Sequence, residues 1–193
     1  MLMLPTLPSI YRYIALDPGT DTLGVAVFDL DLATGIARIP WVSTLRASRS
    51  NHFNDYAATL HGDRYARLNA HHARLVELFQ QFQPQLIASE SPYMGRFPQA
   101  YAALVECMQI IQSAVTQYDY GLSVLTVEPT AAKKAVGVLK RGSNKDLVRD
   151  LVLAKPELQF IGGVNPYTLD EHSTDALAVG YFVLQQIMQY ARA

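Results

Sequence analysis

The chain has 193 residues, half of them hydrophobic and 17% charged, which fits one globular domain with a sizeable core rather than a disordered chain. A net charge of −1 gives no general affinity for polyanions, and a single cysteine, Cys107, excludes an intrachain disulfide framework and a cysteine-rich zinc site. The expected setting is therefore intracellular and cytoplasmic, since no run approaches the roughly 18 apolar residues of a membrane span.

Residues 1–193 read as one domain, with 1–10 as a short N-terminal extension. Its "MLMLPTLPS" is apolar but broken by Pro5 and Pro8, and lacks the basic segment of a signal peptide. "YRYIALD" (11–17) alternates and ends on an aspartate, so it predicts a strand. The Pro-Gly turn after Asp17 leads into a second strand, "LGVAVFDL" (23–30). "GIARIPWVS" (35–43) predicts a third, with Pro40 placing it at a sheet edge. Residues 45–62 show no period and read as a long loop. Helical spacing returns over 63–82, with Asp63 as N-cap and Pro84 as the stop. A short strand, "QLIASE" (85–90), ends on Glu90. Residues 98–118 predict a helix opened by Pro98, and "LSVLTVE" (122–128) a β-branched strand. Pro129 starts a short helix interrupted at Gly137 and Gly142. "NKDLVRDLVLAK" predicts another, and a last helix runs from about 170 to 190. In that helix "TLDE" suggests a capping box with Thr168 as N-cap. This order implies an α/β fold with a five-stranded mixed sheet, three antiparallel strands then two parallel, flanked by helices.

Chemistry-bearing residues fall in a few places. Asp17 and Glu90 each end a strand, and ligands in sheets of this kind gather at carboxyl ends. His172 and Asp175 lie three residues apart near the start of the last helix, and so on one face. Singly, each has a plain explanation: Asp17 as a turn residue, Glu90 as a strand end, His172 as a partly buried histidine. Asp175 is harder to place that way, because a buried lone aspartate in an apolar helix is costly. Clustered carboxylates repel unless cations neutralise them, and oxygen donors suit Mg²⁺ or Mn²⁺. Lys133, Lys134, Lys140, Arg141, Lys145 and Arg149 form a basic stretch opposed only by Asp146, either a solvated helix face or a phosphate-binding patch.

"LDPGTDTLGVAVFD", "FQPQLIASESPYM" and "HSTDALAVG" together resemble the three motifs of RuvC-type Holliday-junction resolvases, in the RNase H-like superfamily. The resemblance runs from about residue 12 to 190 and implies an RNase H-like fold. It implies a homodimeric endonuclease that resolves four-way DNA junctions in the nucleoid by paired symmetric nicks. Asp17, Glu90, His172 and Asp175 would hold two Mg²⁺ ions, with Mn²⁺ as a substitute. Lys145 in "GSNKDLV" would reach the scissile phosphate, and Lys133, Lys134, Lys140 and Arg141 would contact DNA. Tyr93, three residues after Glu90, matches an aromatic that stacks on opened bases. Two alternatives share the fold: a nuclease on other branched DNA or hybrids, and a non-catalytic junction-binding protein. A sugar-kinase-like phosphotransferase also has an Asp-x-Gly loop, but needs a second such domain and a second phosphate loop.

Overall fold

In the computed structural model residues 9–95, 97–138 and 145–191 are described, the side chain of Lys145 apart. Three antiparallel strands open the domain: β1 (Ile10–Asp17), β2 (Thr22–Asp31) and β3 (Ala37–Arg46). A 3₁₀ turn (Ala47–Arg49) and a short helix α1 (Asp55–His61) lead to the long helix α2 (Asp63–Phe82). Then follow β4 (Leu86–Glu90), α3 (Pro98–Tyr118), β5 (Val124–Val127), α4 (Pro129–Val136) and α5 (Lys145–Leu153). The three-residue strand β6 (Leu158–Phe160), a 3₁₀ turn (Pro166–Thr168) and α6 (Glu171–Ala191) complete the order.

The sheet has six strands in the order β5-β4-β1-β2-β3-β6. β4 lies parallel to β1, β5 parallel to β4, and β6 parallel to β3. The five-stranded expectation is thus corrected by one strand. β6 pairs only with Ala37–Ile39, and the pairing stops at Pro40, which has no N–H to give. Pro40 marks where β3 becomes an edge, rather than making the whole strand one. Because β1, β3, β4 and β5 all run the same way, their carboxyl ends share one border of the sheet.

Helices cover both faces, so the central strands are buried along their length rather than alternating in polarity. Tyr13, Ala15, Ala26 and Phe28 pack toward α4, α5 and α6. Ile14, Leu16, Val25 and Val27 pack toward α2 and α3 through Leu75, Phe79, Ile111 and Val115. α2 ends where Gln83 turns left-handed (φ 49°), ahead of Pro84. Its N-cap is Gly62, not Asp63, which is instead its first residue. The 45–62 stretch is more ordered than expected: Asn54 caps α1, accepting from the Ala57 N–H at 2.9 Å, yet α1 buries none of its residues.

Two glycines set how closely α6 lies on the sheet. A Cβ on Gly24 of β2 would stand 2.0 Å from the His172 carbonyl oxygen, and one on Gly180 of α6 would stand 2.1 Å from the Phe28 ring. Phe28 stacks on Tyr13 with centroids 4.7 Å apart, and the Tyr13 hydroxyl donates to the Gly180 carbonyl at 2.9 Å. The eight steps from His172 to Gly180 span about 12 Å of helix, so two contacts fix the helix axis and its first turn. Among the described residues, no helix is long and apolar enough to cross a membrane.

Candidate active site at the carboxyl edge of the sheet

Register alone brings the first two acidic residues together. Leu16 pairs with Ser89 in the parallel β1–β4 ladder, so Asp17 and Glu90 follow on adjacent strands. Side chains alternate along a strand, which puts Asp17 on the Tyr13–Ala15 face and Glu90 on the Ala88 face, both toward α6. On α6, His172 and Asp175 lie in the first turns, one turn apart.

The N-terminus of α6 is anchored from β3. Asp170, not Thr168, caps the helix: its Oδ1 accepts from the Ser173 N–H at 3.1 Å. Thr168 instead sits in the preceding 3₁₀ turn, where its hydroxyl donates to the Asn165 carbonyl. The Thr44 hydroxyl donates to Asp170, and Arg46 lies 3.5 Å from it. These contacts fit with the close pass at Gly24 and leave the first turn of α6 facing Asp17.

There the His172 Nδ1 lies 2.9 Å from Asp17 Oδ2, and its Nε2 lies 2.9 Å from the Thr22 hydroxyl. Asp17 is only 9% exposed. The Asp17 hydrogen bond raises the affinity of His172 for its proton, partly offset by burial. Burial pushes Glu90 up to about 7, reinforced by Asp17 and Asp175. Burial likewise raises Asp175 to about 6, against the attraction of Lys133, whose Nζ lies 4.0 Å away. Three carboxyl groups therefore share a half-buried space with one lysine, and two of them, Glu90 and Asp175, hold their protons to a higher pH than an ordinary carboxyl group.

The sequence reasoning missed Glu128. It follows β5 directly, precedes Pro129, and adds to the field that raises Glu90. Its signal was the one that singled out Glu90: an acidic residue closing a strand.

The other expected residues separate. Lys133, expected on DNA, faces Asp175, and Lys134 is exposed beside it on α4. Tyr93 is exposed (58%) in the segment after Glu90, joined by Met94 and by Phe97 (72% exposed), neither of which was singled out. Lys140 and Arg141 lie outside the described residues. Lys145 is the first residue of α5, and its side chain also lies outside them. Arg149 pairs with Asp146 at 3.2 Å on α5, as a solvated helix face would.

The donor set fits a hard divalent cation: carboxylate oxygens, one imidazole, no sulfur, and carboxyls whose proton affinity is raised by burial and by one another, which a cation would offset. Among the described residues, no three of these groups are already arranged to hold one metal ion.

A mixed sheet with three leading antiparallel strands, acidic residues at its carboxyl edge and a final helix laid across it is a fold that this chain shares with solved structures of Holliday-junction resolvases. Solved structures of the same fold include Thermus thermophilus RuvC in complex with a Holliday junction substrate (TM-score 0.67, 20% identity, 93% of this chain and 96% of that one). The yeast mitochondrial Holliday junction resolvase Ydc2 is also similar (TM-score 0.61, 16% identity, 96% of this chain and 83% of that one). So is the fowlpox virus Holliday junction resolvase (TM-score 0.57, 12% identity, 91% of this chain and 99% of that one). No family model and no curated protein sequence matches this chain.

Proposed function

We propose that this chain is a metal-dependent endonuclease that resolves four-way DNA junctions, acting as a homodimer that makes paired symmetric nicks. The observation that carries the reading is the meeting of Asp17, Glu90, His172 and Asp175 at the carboxyl edge of a fold shared with Holliday-junction resolvases. Those four residues would hold two Mg²⁺ or Mn²⁺ ions, which supply water activation and stabilisation of the departing 3′ oxygen when bound.

The chain's own groups do the rest. The Asp17–His172 hydrogen bond orients both side chains, and Thr22 fixes the imidazole from its other nitrogen. Burial of Asp17 and Asp175 keeps bulk water off the carboxylates and strengthens their field. Lys133 neutralises Asp175 in the resting protein and is free to turn to a phosphate once a stronger cation takes its place. Lys134, Lys140, Arg141 and Lys145 supply further positive charge for the DNA backbone. Tyr93, with Met94 and Phe97, offers exposed apolar surface beside Glu90 on which unpaired bases stack.

The test is cleavage of an end-labelled four-way junction in Mg²⁺ by the wild type and by Asp17→Asn. Symmetric nicks by the wild type, with binding but no cleavage by Asp17→Asn, are expected. Equal cutting of duplex or hybrid DNA would shift the reading to a less selective nuclease. Junction binding without any cleavage in Mg²⁺ or Mn²⁺ would leave a non-catalytic binding protein.

A further inference from the structure

A second positively charged feature lies on the same border of the sheet, away from the lysines of α4. A cleft of about 600 Å³ opens between the end of β3, the 3₁₀ turn after it and α2. Arg46, Arg49, Arg74, His52, His71 and Glu77 are among its lining residues. Glu77 engages Arg74 at 2.7 Å and His52 at 3.0 Å. Arg46 is held only loosely by Asp170, and Arg49 has no ion pair among the described residues. His71 is 2% exposed, and its buried Nε2 has no hydrogen-bond partner. A polar atom left unpaired in that position is costly unless the site gains a partner.

The cleft is built on fixed backbone. The Ala47 N–H donates to the Asp21 carbonyl at 2.8 Å and the Ser48 N–H to the Asp21 carboxylate at 3.1 Å. Ala47 itself is buried, so the turn that carries Arg49 is clamped to the β1–β2 turn. Its position relative to the acidic site follows from register: Asp17 pairs with Gly24, and Gly24 with Thr44. Two interstrand spacings separate Asp17 from Thr44, about 10 Å. A chain of phosphates held at Asp17 therefore reaches Arg46 within a nucleotide or two. Guanidinium groups suit this task, because their planar forks match phosphate oxygens in pairs.

We propose that this cleft seats a phosphodiester of the DNA backbone, on the strand that runs past the candidate active site toward β3. The proposal rests on the nuclease reading for its ligand but not for its existence as a phosphate site. Arg46 and Arg49 supply the contacts, while Arg74, already paired with Glu77, shapes the far wall.

The test follows the histidine ring resonances of the full chain, assigned with His52→Gln and His71→Gln, during titration with a short single-stranded oligodeoxynucleotide. Shifts of the His52 and His71 signals are expected, and are lost in the double variant Arg46→Ala/Arg49→Ala. That variant binds junction DNA about tenfold more weakly, with a log–log salt slope shallower by about 2, as expected for two lost phosphate contacts. Arg49→Ala alone, which breaks no ion pair of the fold, gives about half the change in slope. DNA binding with silent His52 and His71 signals, or an unchanged salt slope in the double variant, overturns the proposal. Inorganic phosphate shifting these signals where the oligonucleotide does not also overturns it, in favour of a free-anion site. Ring shifts with DNA but no junction cleavage would sink the nuclease reading and leave the cleft standing.

Discussion

Replacing Glu90 by glutamine should stabilise the metal-free protein while destroying its proposed activity. Burial and the neighbouring Asp17 and Asp175 carboxylates raise Glu90 from 4.5 to about 7. In the unfolded chain the same group titrates at its ordinary value. Between these two pH values the folded state holds a proton that the unfolded state has released. Stability from this group is therefore full below pH 4.5 and is lost as the pH rises through 7. At about 1.4 kcal/mol per pKa unit the loss by pH 8 is about 3 kcal/mol. Glutamine resembles the protonated acid in shape and carries no charge, so Glu90→Gln removes that loss. For a chain of this length the gain corresponds to about 6–12 °C in melting temperature. Urea unfolding in EDTA at pH 4.5, 6 and 8 measures it, with an unchanged m-value confirming that the unfolded state is the same. The two proteins should agree at pH 4.5 and diverge progressively toward pH 8. A stabilisation equal at all three pH values, or none at pH 8, would refute the electrostatic crowding inferred for the site.

Other outcomes follow from the same geometry. Mg²⁺ binding must release the protons that Glu90 (about 7) and Asp175 (about 6) hold, so calorimetric affinity should rise between pH 5.5 and 8. Proton uptake by the buffer should be larger at pH 6 than at pH 8. Gly24→Ala sets a methyl against the His172 carbonyl and should cost about 1–3 kcal/mol in chemical denaturation, while displacing His172 and abolishing cleavage. His71 works in the opposite sense to Glu90. Its burial lowers it from 6.5 to about 4, so stability is full above pH 6.5 and falls as the pH drops toward 4, by about 3 kcal/mol. In pH-dependent unfolding, His71→Gln should flatten the slope over that window.

The sheet's leading meander and the long helices were legible because their patterns are long and their boundaries punctuated by Pro18, Pro84, Pro98 and Pro129. β6 was not: three residues with one buried side chain carry no period, and its pairing with Ala37–Ile39 is a long-range event. α1 escaped for the converse reason, since a helix that buries no residue shows no apolar stripe. The cap of α6 fell on Asp170, whose carboxylate is held by the hydroxyl of Thr44, a partner remote in sequence. At the site, strand-end position exposed Asp17 and Glu90, and the same rule reached Glu128 had it been applied a third time. Lys133 was placed on DNA by resemblance and by the charge of its stretch, and only packing of α4 against α6 reveals its Asp175 partner. The arginine cleft was invisible because its walls come from a strand end and a helix that share no motif.

The docking of α6 also has a consequence in time. Asp17 is made early, while His172, its hydrogen-bond partner, follows 155 residues later. A growing chain is synthesised at about 5–20 residues per second, so many seconds separate the two. Until α6 is released and lies down across Gly24, the strands present isolated carboxylates with no imidazole and no Asp175. The proposed nuclease is therefore incomplete during its own synthesis. The candidate site closes only on a chain that has already formed the sheet beneath it.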